Sequence, residues 1–332
     1  MARSLKPIFL AGIGAGFAAA AIAATRALRS TPPPDGAVVL ITGGSRGLGY
    51  AIASRFARCP LRLVLAARDR LELATAQQML LEAHPHLNPS DFYLVDADLT
   101  NPAECQRLID EALNRFGRID VLVNNAGIME VGPAELQTLD AFDRAMDLHF
   151  YGPLHILWAA LPHLRRQEPM PGWSRRAAIV NIASIGGKVA VPHMLPYTAS
   201  KFALVGLSEG LHAELHKDDI LVTTVCPGLM RSGGEEHAQF IGNVEAERRW
   251  FNLGAKTPIL SASVDYAACR IYSAVSHGCA EITITPQAWL LARFAGHFPN
   301  TTQCLSALAN EYILPSYKTP DSDLTSQVET AG

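Results

Sequence analysis

Seven short apolar runs recur along the chain, separated by longer amphipathic stretches, and few folds accommodate that alternation. Ala37–Thr42, Leu61–Ala67, Phe92–Asp96, Ile119–Asn124, Ala177–Ser184, Ile220–Cys226 and Glu281–Thr285 have the length of strands. Several are unbroken Val/Ile/Leu runs, as expected of parallel strands buried on both faces. Between them, Leu71–Ala83 and Cys105–Phe116 carry apolar residues at helical spacing. Strand and helix alternating seven times predict an α/β fold built on a doubly wound parallel sheet of seven strands. At ~150 residues per domain, 332 residues would suggest about two domains. The alternation runs unbroken from residue 36 to about 286, so one domain is expected there, preceded by residues 1–35 and followed by an extension over 287–332.

The flanking segments differ from the body. Ile8–Ala24 is uncharged and flanked by Arg3, Lys6, Arg26 and Arg29. Its length is at the short end of the ~17–25 residues that cross a bilayer. Three readings fit it: a membrane anchor, a signal peptide cleaved near Ala21-Ile22-Ala23, or a helix docked on the protein. The anchor is the reading carried forward, with the catalytic domain facing the cytoplasm; the alternative is a soluble cytoplasmic protein. Thr31-Pro-Pro-Pro-Asp-Gly36 reads as a linker. Near the other end, Trp289–Phe298 and Cys304–Leu314 are apolar enough to pack on the body or touch a membrane, and the chain from Lys318 is polar. Arg231–Lys256 interrupts the alternation, and an insertion after a strand's carboxyl end suits a substrate lid.

Charge narrows the partners. With 28 basic and 31 acidic side chains the net charge is −3, which argues against nucleic acid as a ligand. Among Cys59, Cys105, Cys226, Cys269, Cys279 and Cys304 no pair has metal-ligand spacing, so no metal site is expected. His212-Ala-Glu-Leu-His216 lacks the acid directly after the first histidine that a zinc helix uses, and both rings are expected on a solvated face.

Directly after the first strand comes Thr42-Gly43-Gly44-Ser45-Arg46-Gly47-Leu48-Gly49. Glycines there let the backbone approach a diphosphate, and the next helix aims its amides at the negative charge. This context predicts a dinucleotide site of the Rossmann type. The second strand ends at Ala67 without the acid that would bind adenosine ribose hydroxyls. Arg68 follows it and Arg46 stands in the glycine loop, so two guanidiniums are available to a 2′-phosphate. NADP(H) is therefore preferred over NAD(H); the alternative is that Arg68 simply pairs with an acid such as Asp69.

Further motifs recur in order: Asp98-Leu99, Asn124-Asn-Ala-Gly127, Ser184, Tyr197-x-x-x-Lys201 and Pro227-Gly228. With the glycine loop, they make residues 37 to about 285 resemble the short-chain dehydrogenase/reductase family. The resemblance implies that Asp98 and Leu99 contact adenine, and that Asn125, Ala126 and Gly127 support the central strand and cofactor. It implies that Pro227, Gly228 and Leu229 line the nicotinamide, with Ser232 where the family commonly bonds the carboxamide. It also implies a dimer or tetramer built on Thr138–Arg166 and Pro196–Lys217.

The catalytic residues also follow from chemistry. Tyr197 and Lys201 are i and i+4, so both leave one helix face. A free phenol ionises near pH 10, and an adjacent ammonium is expected to bring it toward the working range. Ser184, at a strand end, would hydrogen-bond the substrate oxygen. Hydride then moves between nicotinamide C4 and the substrate carbon while Tyr197 moves the proton; Lys201 tunes it and holds ribose. One position departs from the family: Met146-Asp-Leu-His-Phe-Tyr-Gly152 places His149 where an Asn usually holds a relay water. Imidazole also bonds water but titrates near neutrality, so an altered pH profile or low activity is expected. The leading expectation is an oxidoreductase of a secondary alcohol or ketone, with a lipophilic substrate suggested by the apolar ends. The rival is a catalytically weak NADP(H)-binding scaffold or regulator at a membrane.

Overall fold

A computed structural model describes residues 30–231, 233, 238–256 and 261–316. The Ile8–Ala24 segment, Ser232 and the tail beyond residue 316 lie outside the described residues. Seven parallel strands form one sheet: β1 Val38–Thr42, β2 Arg62–Ala67, β3 Phe92–Asp96, β4 Val121–Asn124, β5 Ala177–Ile182, β6 Ile220–Pro227 and β7 Glu281–Ile284. Their order across the sheet is β7-β6-β5-β4-β1-β2-β3. All seven stand where the apolar runs predict them, within a few residues at each end.

The unbroken apolar runs are explained by two-sided burial. In β1, Val39 and Ile41 enter one apolar cluster while Val38 and Leu40 enter the other, and all four are fully buried. The first layer of helices comprises α1 Gly47–Phe56, α2 Arg70–Ala83 and, later in the chain, Val264–His277. The second comprises α3 Pro102–Phe116 with the two long helices that follow. Burying a side chain such as Leu or Ile contributes about 1.5–3 kcal/mol, so β1 by itself supplies several such contributions.

The stretch expected as one helix over Thr138–Arg166 is divided. Thr138 caps α4, Leu139–Met146, by accepting from the Ala141 amide. A π-helical turn over Asp147–Tyr151 then leads into α5, Gly152–Arg166. Such turns add one residue to the helix and re-aim side chains, and this one turns His149 inward. Next come α6 Leu195–Leu215, α7 Val244–Lys256 in the insertion, α8 Val264–His277, α9 Pro286–His297 and α10 Pro299–Tyr312.

Strand order reverses between β1 and β4, the two neighbours that lead chain growth in opposite directions. Ligands of open α/β sheets bind at the carboxyl ends of the strands beside such a switch point. The glycine loop, the Asn124–Gly127 segment and Ser184 all leave strands at that edge.

Candidate active site

The glycine loop is built by backbone geometry that other residues resist. Gly43 and Gly47 take φ of +64° and +54°, the left-handed region that favours glycine. A Cβ on Gly49 would lie 2.0 Å from the Gly43 carbonyl oxygen and 2.7 Å from Asn125 Nδ2. The loop is tied to the end of β4 as well. Asn125 Nδ2 donates to the Thr42 and Gly43 carbonyls at 2.9 and 3.3 Å, and the Asn125 and Ala126 amides donate to Thr42 Oγ1 at 2.9 and 3.1 Å. No side chain caps the start of α1, and its first turn holds no acid. A helix end left open in this way accepts an anion, so the residues present fit a dinucleotide diphosphate. Leu48 turns its side chain into the core, leaving only its backbone for the cleft.

At the loop itself, Arg46 and Ser45 are already engaged. Arg46 donates to Glu72 at 2.7 Å and the Ser45 hydroxyl donates to the same carboxylate at 3.0 Å. Glu72, in the first turn of α2, was not singled out from the sequence. Arg68 is exposed and makes no ion pair among the described residues; the suggested Asp69 instead caps α2 by accepting from the Leu71 and Glu72 amides. Asp98 turns its carboxylate onto Thr100, whose amide and hydroxyl donate to it at 3.1 and 2.8 Å, and Leu99 is buried. Beyond Pro227, the last residue of β6, the Gly228 amide donates to the Ile284 carbonyl at 3.0 Å, and Leu229 is half exposed.

Ser184, Tyr197 and Lys201 meet at the end of β5. The Gly186 amide donates to Ser184 Oγ at 3.0 Å, which orients the hydroxyl. Tyr197 and Lys201 occupy the first two turns of α6. Lys201 is buried, donates to the Ile182 carbonyl at 2.8 Å and holds its Nζ 5.7 Å from the Tyr197 ring centre. Burial pushes the Tyr197 phenol up from its ordinary value, and a hydrogen bond with Ser184 opposes that rise. Burial also pushes the Lys201 ammonium down to about 7. The expected depression of the phenol by the ammonium is not found, because desolvation of the phenolate dominates its environment.

His149 corrects the expectation of a titrating relay. The Ile128 amide donates to its Nε2 at 3.0 Å, so Nδ1 carries the proton and donates to Ser200 Oγ at 2.7 Å. Ser200 in turn donates to the Tyr197 carbonyl at 2.8 Å. Burial first, and then the Lys201 charge, hold the imidazole well below its ordinary pKa. Both ring nitrogens are occupied, so His149 ties the segment after β4 to α6 as a neutral group and gives no titration near pH 7. Gly127 lies close beside it: a Cβ there would stand 3.0 Å from Nε2, so the ring would have to give by a few tenths of an ångström.

Thr42 and Ser200 escaped the sequence reading, although each lies within a motif it quoted. Thr42 opens the glycine loop, and Ser200 stands at an unspecified position of Tyr197-x-x-x-Lys201. The groups set aside behave as core or surface. Burial raises the Cys226 thiol to about 12, all six cysteines are free, and no cluster of metal ligands occurs among the described residues. His212 departs from the solvated face expected of it: it is half-buried and bonds the Val222 carbonyl at 2.8 Å through Nδ1.

Comparison with known proteins agrees with this geometry. The short chain dehydrogenase family model matches residues 37–239. The chain is 36% identical over 268 residues to an 11-beta-hydroxysteroid dehydrogenase A of Sesamum indicum, covering 76% of this chain and 69% of that protein. It is 35% identical over 198 residues to a dehydrogenase/reductase SDR family protein 7-like of Anopheles gambiae, covering 60% of each. A short chain dehydrogenase/reductase from Burkholderia phymatum, solved in complex with NAD, superposes with a TM-score of 0.71 at 26% identity, covering 80% of this chain and 95% of that one. The chain belongs to the short chain dehydrogenase family, NAD(P)-dependent oxidoreductases that act on CH–OH groups.

Proposed function

We propose that the protein is an NADP(H)-dependent oxidoreductase that interconverts a secondary alcohol and a ketone whose body is apolar. The observation that carries this reading is the meeting of Ser184, Tyr197 and Lys201 beside an open, glycine-lined helix end. Nicotinamide, when bound, supplies or accepts the hydride. In this reading the Ser184 hydroxyl orients the substrate oxygen, and the Tyr197 hydroxyl gives or takes the proton at that oxygen. Lys201, fixed by the Ile182 carbonyl, biases that proton and holds ribose. His149 and Ser200 keep the first turn of α6 in register with the Asn125–Gly127 segment. Gly43, Gly47 and Gly49 would admit the diphosphate, Asp98 and Leu99 would hold adenine, and Pro227, Gly228 and Leu229 would hold the nicotinamide, a role the family resemblance extends to Ser232. An apolar substrate is supported by the Met129, Val131, Met194, Phe240 and Phe251 side chains clustered against Tyr197, and by relatives bearing hydroxysteroid dehydrogenase names.

NADP(H) preference rests on Arg46 and Arg68 and on the missing acid at Ala67. A 2′-phosphate would take over the contacts that Ser45 and Arg46 now give Glu72. The double variant Arg46→Ala/Arg68→Ala is expected to weaken NADPH binding by about 100-fold, since each lost charge-assisted hydrogen bond is worth roughly 1.5–3 kcal/mol. NADH affinity should change little. Titration of nucleotide fluorescence reads both, and equal losses would remove the argument.

Membrane association and self-assembly belong to the same reading. No helix among the described residues is long and apolar enough to cross a membrane, so the anchor rests on residues 8–24. The exposed Trp289, Leu290, Leu305, Leu308 and Ile313 of the α9–α10 region would add contact with a lipid surface. Exposed Tyr151, Trp158 and Phe202, at the start of α5, on α5 and on α6, suit a homo-oligomer. A chain lacking residues 1–30 is expected in the soluble fraction with a dimeric or tetrameric mass by light scattering. Retention on the membrane rejects the anchor, and a monomeric mass rejects the oligomer.

A further inference from the structure

Glu247, on α7, is 1% exposed, and its neighbours on that helix, Trp250 and Phe251, pack in an apolar cluster with Met194, Phe240 and the ring of Tyr197. A carboxylate persists in such surroundings only where donors replace its water. Two do so here. Trp250 Nε1 donates to Oε2 at 2.6 Å, and His193 Nδ1 meets Oε1 at 2.8 Å. Trp250 is three residues along the same helix, so its bond orients the carboxylate within α7, while its ring meets that of His193 edge-on at 6.5 Å. His193 belongs to another segment, the loop that enters α6 four residues before Tyr197.

That loop is shaped for the contact. His193 is 6% exposed and takes φ of +62°, a conformation that costs free energy for a residue with a Cβ. Its carbonyl accepts from the Gly132 amide at 2.7 Å, next to Val131. Val131 also pairs with Phe240 in the short ladder Glu130–Val131 with Gln239–Phe240. The insertion is therefore fastened to the Tyr197 side of the cleft by a backbone ladder and by a side-chain hydrogen bond.

We propose that Glu247 and His193 form a clasp that seats α7 beside Tyr197 and so sets the affinity for the apolar body of the substrate. A substrate whose oxygen reaches the Tyr197 hydroxyl must lie against the cluster that packs on that ring, and Phe251 enters the cluster from α7. The clasp pair are positioning residues: they act through the wall they hold, not on the reacting atoms. The inference rests on the functional reading above for its substrate, but not for the contact itself.

The test uses the full chain and decalone, a bicyclic apolar ketone, with NADPH. Glu247→Ala is expected to raise KM for decalone about tenfold, as loss of a charged hydrogen bond would, while kcat falls by less than about threefold and the NADPH dissociation constant holds. Amide hydrogen exchange across Val244–Gly254 should quicken about tenfold or more. His193→Asn places an amide donor near the position of Nδ1 and tolerates positive φ, so it should preserve the amide protection that His193→Leu loses. If Glu247→Ala fails to fold, the two His193 variants carry the same comparison. Unchanged exchange in the clasp-breaking variants would overturn the proposal, and so would faster exchange with an unchanged KM. Should the wild-type protein reduce no ketone, the functional reading falls, and the clasp stands or falls on the exchange data alone.

Discussion

Replacing Tyr197 by Phe is expected to lower kcat for carbonyl reduction by about 1000-fold, within the roughly 100- to 10,000-fold range of a positioned acid or base. The ring fills a half-buried position against Met194, Phe251 and their neighbours, and Phe keeps that packing while removing only the hydroxyl. NADPH should therefore still bind, measured by fluorescence titration, while steady-state turnover nearly disappears. The variant also loses the Ser184 contact, the one hydrogen bond that opposes the upward shift of the phenol. Turnover within tenfold of wild type would mean that another group moves the proton, and His149 could not be that group, since both of its nitrogens are engaged. Retained NADPH binding with no turnover by the wild-type protein on any carbonyl would instead favour a cofactor-binding scaffold.

A second large effect is expected from Gly49→Ala. The new methyl would stand 2.0 Å from the Gly43 carbonyl oxygen, a backbone atom that cannot rotate aside. Either α1 shifts away from the loop or the loop opens, and in both cases the Asn125 bonds to the Thr42 and Gly43 carbonyls are disturbed. Overpacking of this kind costs about 1–3 kcal/mol, and misplacing the helix end should weaken nucleotide binding by about 100-fold or more. Thermal unfolding and NADPH titration report the two losses separately. An unchanged nucleotide affinity would show that the diphosphate does not rest on this turn.

The glycine loop was legible because its constraint is local: a turn at positive φ followed at once by a helix leaves few residue choices. The seven strands were legible for a related reason, since burial on both faces writes itself as an apolar run. The Tyr197–Lys201 pair was readable from the family resemblance, with helical spacing placing both side chains on one face. His149 was visible only as a departure from the family pattern, and its behaviour was misjudged. Its environment comes from Ile128 and from Ser200, 21 and 51 positions away, brought together by the π-helical turn. Glu72 beside Arg46, 26 positions apart, and Glu247 beside His193, 54 apart, carried no signal in the sequence at all.

What the chain's residues determined unaided is the order of strands and helices, the diphosphate turn and the helical pair beside it, because each depends on burial or backbone geometry within a few residues. Tertiary structure alone decided which buried polar group meets which. Removing an ionisable side chain from water makes its charge depend on the one partner that replaces the solvent. That partner is chosen by how distant elements pack, so a neutral His149 and the burial of Glu247 against His193 are properties of the fold.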